Sequence, residues 1–224
     1  MNFKYSRFNS TICLLFTLCF SNASFASVYY LSDNRQITSG GDDGNNNSYN
    51  NIAYPDSPFT AFSVIGQISS LTPSGFYASG SGSAYSDFGF SFRESVFDIT
   101  FNLSTESTIA LSGYLEGIDI NFGSGDASVK LYSGAERINS NLLFSDFVTT
   151  EFNSYETVDL EFNSILTAGA YRIVAKANPY FQIADSSFSV NAEFTPTVIP
   201  IPTAVWFFSS GLFALVGFAK RTKN

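Results

Sequence analysis

The stretch ETVDLEFN sets two carboxylates, Asp159 and Glu161, two residues apart. On an extended strand such residues share a face, with their side chains about 7 Å apart. Two acids at that spacing suit a glycosidase, whose carboxyls flank the scissile bond. Acids alternating on a wet strand face are also what any soluble strand presents, and nothing in the sequence marks either one as buried. The rest of the catalytic inventory is thin. The chain has no histidine, which removes the usual general base, the Ser-His triad and most zinc sites. There is no P-loop lysine and no dinucleotide fingerprint. An enzyme is therefore not expected.

Other residues point to binding. SGGDDGNNNSYNN, from Ser39 to Asn51, is rich in hard oxygen ligands, which makes Asp42 and Asp43 candidate calcium ligands. The EF-hand pattern fails there, because counting from Asp43 puts Ser48 where Gly is needed and Tyr54 where Glu is needed. A solvated surface loop is the plainer reading. Asp119 and Asp126 flank FGSG as a second oxygen cluster. Among the 25 Phe and 12 Tyr, most Phe fall on predicted inward faces. Tyr114 and Tyr132 instead fall on the polar side, beside Ser112 and Lys130. An exposed ring can stack on a sugar and its hydroxyl can bond the rim, so these two are candidate ligand-binding residues. The alternative is that they cover sheet edges.

The elements that must position these groups read as strands. VFDITFNL places Phe97, Ile99, Phe101 and Leu103 on one face and Asp98, Thr100 and Asn102 on the other. The same alternation recurs at Phe88/Phe90/Phe92, Ile109/Leu111/Leu115, Val129/Leu131, Val158/Leu160/Phe162, Tyr171/Ile173/Ala175 and Phe188/Val190/Ala192/Phe194. One buried and one wet face per strand is the mark of packed antiparallel sheets. GSGD, YSGAE, TAGA and ANPY supply turns between them. SPFTAFSVIGQISSL, residues 57–71, is read as strand. The expectation for 27–196 is one all-β domain, an antiparallel β-sandwich of jelly-roll type.

Charge and cysteine use bound the partners. All 19 acidic residues lie between Asp33 and Glu193, where only six basic residues accompany them, a net of −13. So acidic a body is repelled by phosphate backbones and anionic headgroups, which excludes nucleic acid. It also disfavours direct pairing with an anionic polysaccharide, leaving stacking, hydrogen bonds or bridging calcium. The only cysteines, Cys13 and Cys19, fall in the first 26 residues.

Those residues read as a secretory signal. Lys4 and Arg7 precede the apolar run Ile12–Phe20, and SNASFA offers small residues for cleavage after Ala26, with Ser24 two positions upstream. Nine apolar residues are too few to span a bilayer. Cleavage removes both cysteines, so the mature body has no disulfide and rests on its core. At the other end, Thr203 to Ala219 is seventeen residues without a charge, about 25 Å as a helix, close to a membrane span. Pro200 and Pro202 precede it, Trp206 suits an interface, and Lys220, Arg221 and Lys223 close the cytoplasmic side.

This order of parts resembles the PEP-CTERM sorting signal in its VPLPA-type variant. The matching positions are Ile199, Pro200, Ile201, Pro202, Ala204, Trp206, Phe207, Ser210, Gly211, Leu212, Gly217, Lys220 and Arg221, with Ile201 in place of the Glu of the P-E-P form. The resemblance implies recognition and cleavage by an exosortase-type membrane enzyme in a Gram-negative bacterium, typically one that makes exopolysaccharide. It covers residues 197–224, with a transmembrane helix at about 203–219 and a basic tail at 220–224. Prolines that hold the preceding residues extended suit a protease cleft. The expected partners are signal peptidase and the Sec machinery, then the sorting enzyme, then the membrane through the terminal helix. The expected function is that of an exported, non-catalytic protein of the cell surface or extracellular matrix, and the alternative is a carbohydrate-binding, lectin-like module with polysaccharide as its partner.

Overall fold

Among the described residues, the chain is extended where the apolar residues alternate. A computed structural model describes residues 28–41, 47–50, 59–62, 66–84, 91–180 and 183–197. The signal segment with Ser24 and Ala26, the pair Asp42 and Asp43, Phe88, Phe90 and the tail from residue 198 lie outside the described residues.

The first six strands are β1 (Val28–Asp33), β2 (Gln36–Gly41), β3 (Asn47–Asn50), β4 (Phe59–Phe62), β5 (Gly66–Thr72) and β6 (Gly75–Ala84). Then come β7 (Ser91–Leu103), β8 (Ser107–Asn121), β9 (Asp126–Ser133) and β10 (Leu142–Thr149). The last three are β11 (Tyr155–Leu166), β12 (Gly169–Ala177) and β13 (Ile183–Pro196). They form two antiparallel sheets packed face to face. Sheet A runs β10-β9-β12-β7-β2-β3, with β1 also paired to β7; sheet B runs β11-β8-β13-β6-β5-β4. From β6 onward successive strands mostly change sheet, and the order of those eight strands resembles that of a jelly roll. The run at 57–71 supplies β4 and β5, a hairpin in register from Phe59 opposite Ser69 to Phe62 opposite Gly66.

The predicted inward residues meet between the sheets. Phe97, Ile99, Phe101 and Leu103 of sheet A face Ile109, Leu111, Leu115, Phe188, Val190 and Phe194 of sheet B in one continuous buried cluster. Phe101 lies at its centre, with ring centroids 5.2 Å from Phe194, 5.8 Å from Tyr171 and 6.0 Å from Phe76.

Two features depart from simple alternation. Asp98 and Thr100, expected on a wet face, are buried. The Asp98 carboxylate receives Nε and Nη2 of Arg172, both at 2.8 Å, and Nη2 of Arg137. These side chains, with the chain after β9 drawn in by an Arg172 Nη1 bond to the Ala135 carbonyl at 3.0 Å, cover that face. Bonding to this carboxylate raises the Arg172 pKa above its ordinary value, against an opposing effect of burial. At one end the interior is polar. Arg35, in the β1–β2 turn, reaches across the sandwich to Ser69 Oγ of β5 at 2.9 Å while its Nε lies 2.8 and 3.0 Å from the two oxygens of Asp33. Gln67 Nε2 reaches Ser95 Oγ at 3.1 Å, and further along β5 Tyr30 donates to the Thr72 carbonyl at 2.9 Å, so three polar ties join the sheets along this strand.

Gly113 occupies the middle of β8 at φ +148°, where a Cβ would stand 1.9 Å from the Ser189 carbonyl oxygen. Only glycine allows β13 to lie this close. The next residue is Tyr114.

Candidate ligand-binding face

Sheet B turns its outer face to solvent, and the strand register arranges that face row by row. In one row Asp159 of β11 stands opposite Tyr114 of β8, which stands opposite Ser189 of β13, followed by Ser79 of β6. In the next row Glu161, Ser112, Asn191, Tyr77 and Ser70 follow one another across the five strands from β11 to β5. Tyr114 is 41 % exposed and Tyr77 42 %. They flank β13 one row apart, which places their Cα atoms about 12 Å from each other by sheet geometry. Between them the floor is Ser79, Ser112, Ser189 and Asn191. Side chains this short leave the rings standing proud and offer a hydroxyl or an amide at each step.

Two hollows open along this face, one toward each end of β13. The first, about 400 Å³, is lined by Ser70, Thr72, Tyr77, Asn191, Glu193 and Thr195 among others. The second, about 250 Å³, is lined by Ser81, Ser83, Glu116, Asp185, Ser186 and Ser187 among others. Ser187 Oγ donates to Glu116 Oε2 at 3.1 Å. Ser186 borders this hollow through its backbone only, since its side chain lies on the buried face of β13 with Ala184 and Phe188. A ring face beside an amide, a carboxylate and hydroxyls can stack on a pyranose and bond its rim.

The two tyrosines singled out by sequence separate. Tyr114 is exposed as expected. Tyr132 is a correction: it lies on the predicted side of β9, but on sheet A and only 5 % exposed. Its strand neighbour is Arg172, and the segment after β9 folds over it to reach Asp98. It is not available to a ligand. Asp159 and Glu161 share the outer face and both are exposed.

Asp119 and Asp126 do not act together. Asp119 is buried, and its Oδ1 accepts the backbone N–H groups of Asn121 and Gly123, each at 2.9 Å, so that oxygen shapes the β8–β9 turn. Its Oδ2 is buried without a partner among the described residues. Asp126 accepts the hydroxyl of Ser124. Among the described residues no three acidic, histidine or cysteine side chains gather in a way that would hold a metal ion.

Sequence reasoning missed Tyr77, Asn191 and Glu193. The signal was present in GFYASGSGSA, where Phe76 and Ala78 face inward and Tyr77, Ser79 and Ser81 outward. Reading it required knowing that β13, far along the chain, lies beside β6. It also missed Phe122 and Phe152, two exposed rings 4.6 Å apart at one end of the sandwich, with Phe122 at φ +53°.

No protein-family model matches the sequence, and no curated protein does. Solved structures share its shape distantly. A carbohydrate-binding module, TmCBM61, solved in complex with beta-1,4-galactotriose, is 8 % identical, with a TM-score of 0.28, over 63 % of this chain and 88 % of that one. A structure of the Gx strain of infectious bursal disease virus is 10 % identical, with a TM-score of 0.23, over 89 % of this chain and 74 % of the viral one. At these values the likeness is one of strand arrangement alone.

Proposed function

We propose that the chain is an exported, non-catalytic protein of the cell surface or extracellular matrix, delivered by its C-terminal signal and processed there by an exosortase-type enzyme. The observation that carries this reading is the position of the two ends relative to the fold. The first strand begins at Val28, just past the expected cut after Ala26, and the last ends at Pro196, before the Pro200–Pro202 element. Both cuts therefore spare every described strand, so a matured product keeps the described core. In a host with the sorting enzyme, the envelope-associated form is expected to begin at Ser27 and to lack the mass from about Pro200 onward. Intact-mass spectrometry checks this, and a Trp206 peptide retained in the mature form overturns the sorting reading.

A second reading, a carbohydrate-binding or adhesive module, is favoured by one observation: Tyr77 and Tyr114 stand half-exposed on one face floored by serine and Asn191. Its expected result is binding on a glycan array, with or without calcium, that falls about tenfold in Tyr114→Ala, the scale of a lost ring contact. Silence across the array removes this reading and leaves the scaffold one.

A further inference from the structure

The sandwich is electrically two-faced. None of the six strands of sheet B contains Lys or Arg. The six basic residues between Val28 and Thr197 all lie elsewhere. Arg93, Lys130, Arg172 and Lys176 are on sheet A; Arg35 and Arg137 are in its connections. Arg35 is fully buried against Asp33, Arg137 and Arg172 are held by Asp98, and Lys176 Nζ is 2.8 Å from Glu94. The outer face of sheet B, by contrast, carries Glu116, Asp159, Glu161, Asp185 and Glu193, and none of these has an ion-pair partner among the described residues.

These charges are placed where a ligand would lie. Glu193 lines the first hollow; Glu116 and Asp185 line the second. Asp185 and Glu193 are eight residues apart on β13, about 27 Å along the strand. Between them, opposite Ser189, stands Tyr114, with Asp159 on its far side. A ring face flanked by a carboxylate attracts a cation twice, through the ring quadrupole and through the charge.

From this we infer that the outer face of sheet B binds a linear glycan of amino sugars bearing free, protonated amines, lying along β13 with its ammonium groups at the carboxylates and its ring faces on Tyr114 and Tyr77. This rests on the carbohydrate-binding reading and deepens it by giving the ligand a charge. A polyanionic glycan is repelled by the five carboxylates, and a neutral one uses them only as hydrogen-bond acceptors, without pairing their charge. A basic peptide gains most by adding to a sheet edge through its main chain. Here the central strands β13 and β8 have neighbours on both sides, so their face offers side-chain hydroxyls, carboxylates and rings, the groups suited to a sugar.

The test is calorimetric titration of the mature sandwich in mildly acidic, low-salt buffer with three probes: a glucosamine hexamer, an N-acetylglucosamine hexamer and hexalysine. The glucosamine hexamer is expected to bind at least about tenfold more tightly than either other probe, and to weaken several-fold on raising salt to physiological strength, since exposed charges are screened. A Glu116→Gln/Asp185→Asn/Glu193→Gln variant and Tyr114→Ala should each lose about tenfold or more, while Lys130→Gln on the opposite sheet should bind as the parent does. All variants are compared at matched unfolding midpoints, so that loss of fold is separated from loss of binding. Equal binding of the acetylated hexamer, abolished in Tyr114→Ala, overturns the cationic inference and keeps the carbohydrate reading. Equal or tighter binding of hexalysine, or full binding by the carboxylate variant, also overturns the inference. No binding of either sugar overturns both.

Discussion

Asp33→Ala is expected to destabilise the sandwich by about 3–5 kcal/mol, read as a lowered denaturant midpoint with an unchanged slope. Asp33 and Arg35 are both fully buried. Arg35 Nε is shared between the two carboxylate oxygens, Nη2 lies 2.5 Å from Oδ2, and the backbone N–H of Arg35 also donates to Oδ1 at 3.2 Å. Removing the carboxylate takes three hydrogen bonds and a close charge from a guanidinium held in the interior, and that desolvation cost dominates the loss. For a domain of this size the change corresponds to a melting point lowered by roughly 10 °C. The double variant Asp33→Ala/Arg35→Met separates charge from shape, because it removes both ions together. It should recover a large part of the loss, since apolar replacements of a buried pair are often near neutral. A single-site loss below about 1 kcal/mol would mean that water reaches the pair and that the tie to Ser69 contributes little.

Phe101→Ala is expected to cost about 3–5 kcal/mol by a different route, the loss of buried area plus the cavity left behind. Phe101 is fully buried, and its ring lies against Phe76 and Phe194 of the opposite sheet and Tyr171 of its own. Four rings from β6, β7, β12 and β13 thus meet at one point, and removing the central one loosens both sheets at once. Phe101→Leu, which keeps most of the volume, should cost less than half as much. Equal costs for the two would show that ring geometry, rather than filled space, matters here. With no cysteine between Val28 and Thr197, no covalent staple offsets the cavity. Urea unfolding followed by near-ultraviolet dichroism of the aromatic cluster reads both variants directly.

The two costs bear on function through the same strands. β5, which supplies Ser69 to the buried ion pair, also carries Ser70 on the outer face, and β13 carries Phe194 inward and Glu193 outward. Neighbouring residues on one strand therefore serve the core and the candidate binding face in alternation. Loss of either interior anchor is transmitted to the outer rows without any outer residue being changed.

Much of the sandwich was legible locally. Phe97, Ile99, Phe101 and Leu103 are buried because successive side chains on a strand point to opposite sides, and only one side of VFDITFNL was apolar. The same rule placed Tyr114 outward and Asp159 and Glu161 together. Fold class, the inward residues of each long strand and the absence of histidine chemistry follow from composition and period alone. The tertiary structure decided the rest. Tyr132 satisfied the same alternation as Tyr114 yet is buried, because the segment after β9 folds back to bring Arg137 to Asp98. Tyr77 gained its place beside Asn191, and the outer-face carboxylates their separation from the basic residues of sheet A, through the pairing of β6 with β13 and β13 with β8. Strand alternation is a property of one chain segment and its burial, whereas neighbours across a sheet are chosen by the packing of the whole, and so no local pattern names them.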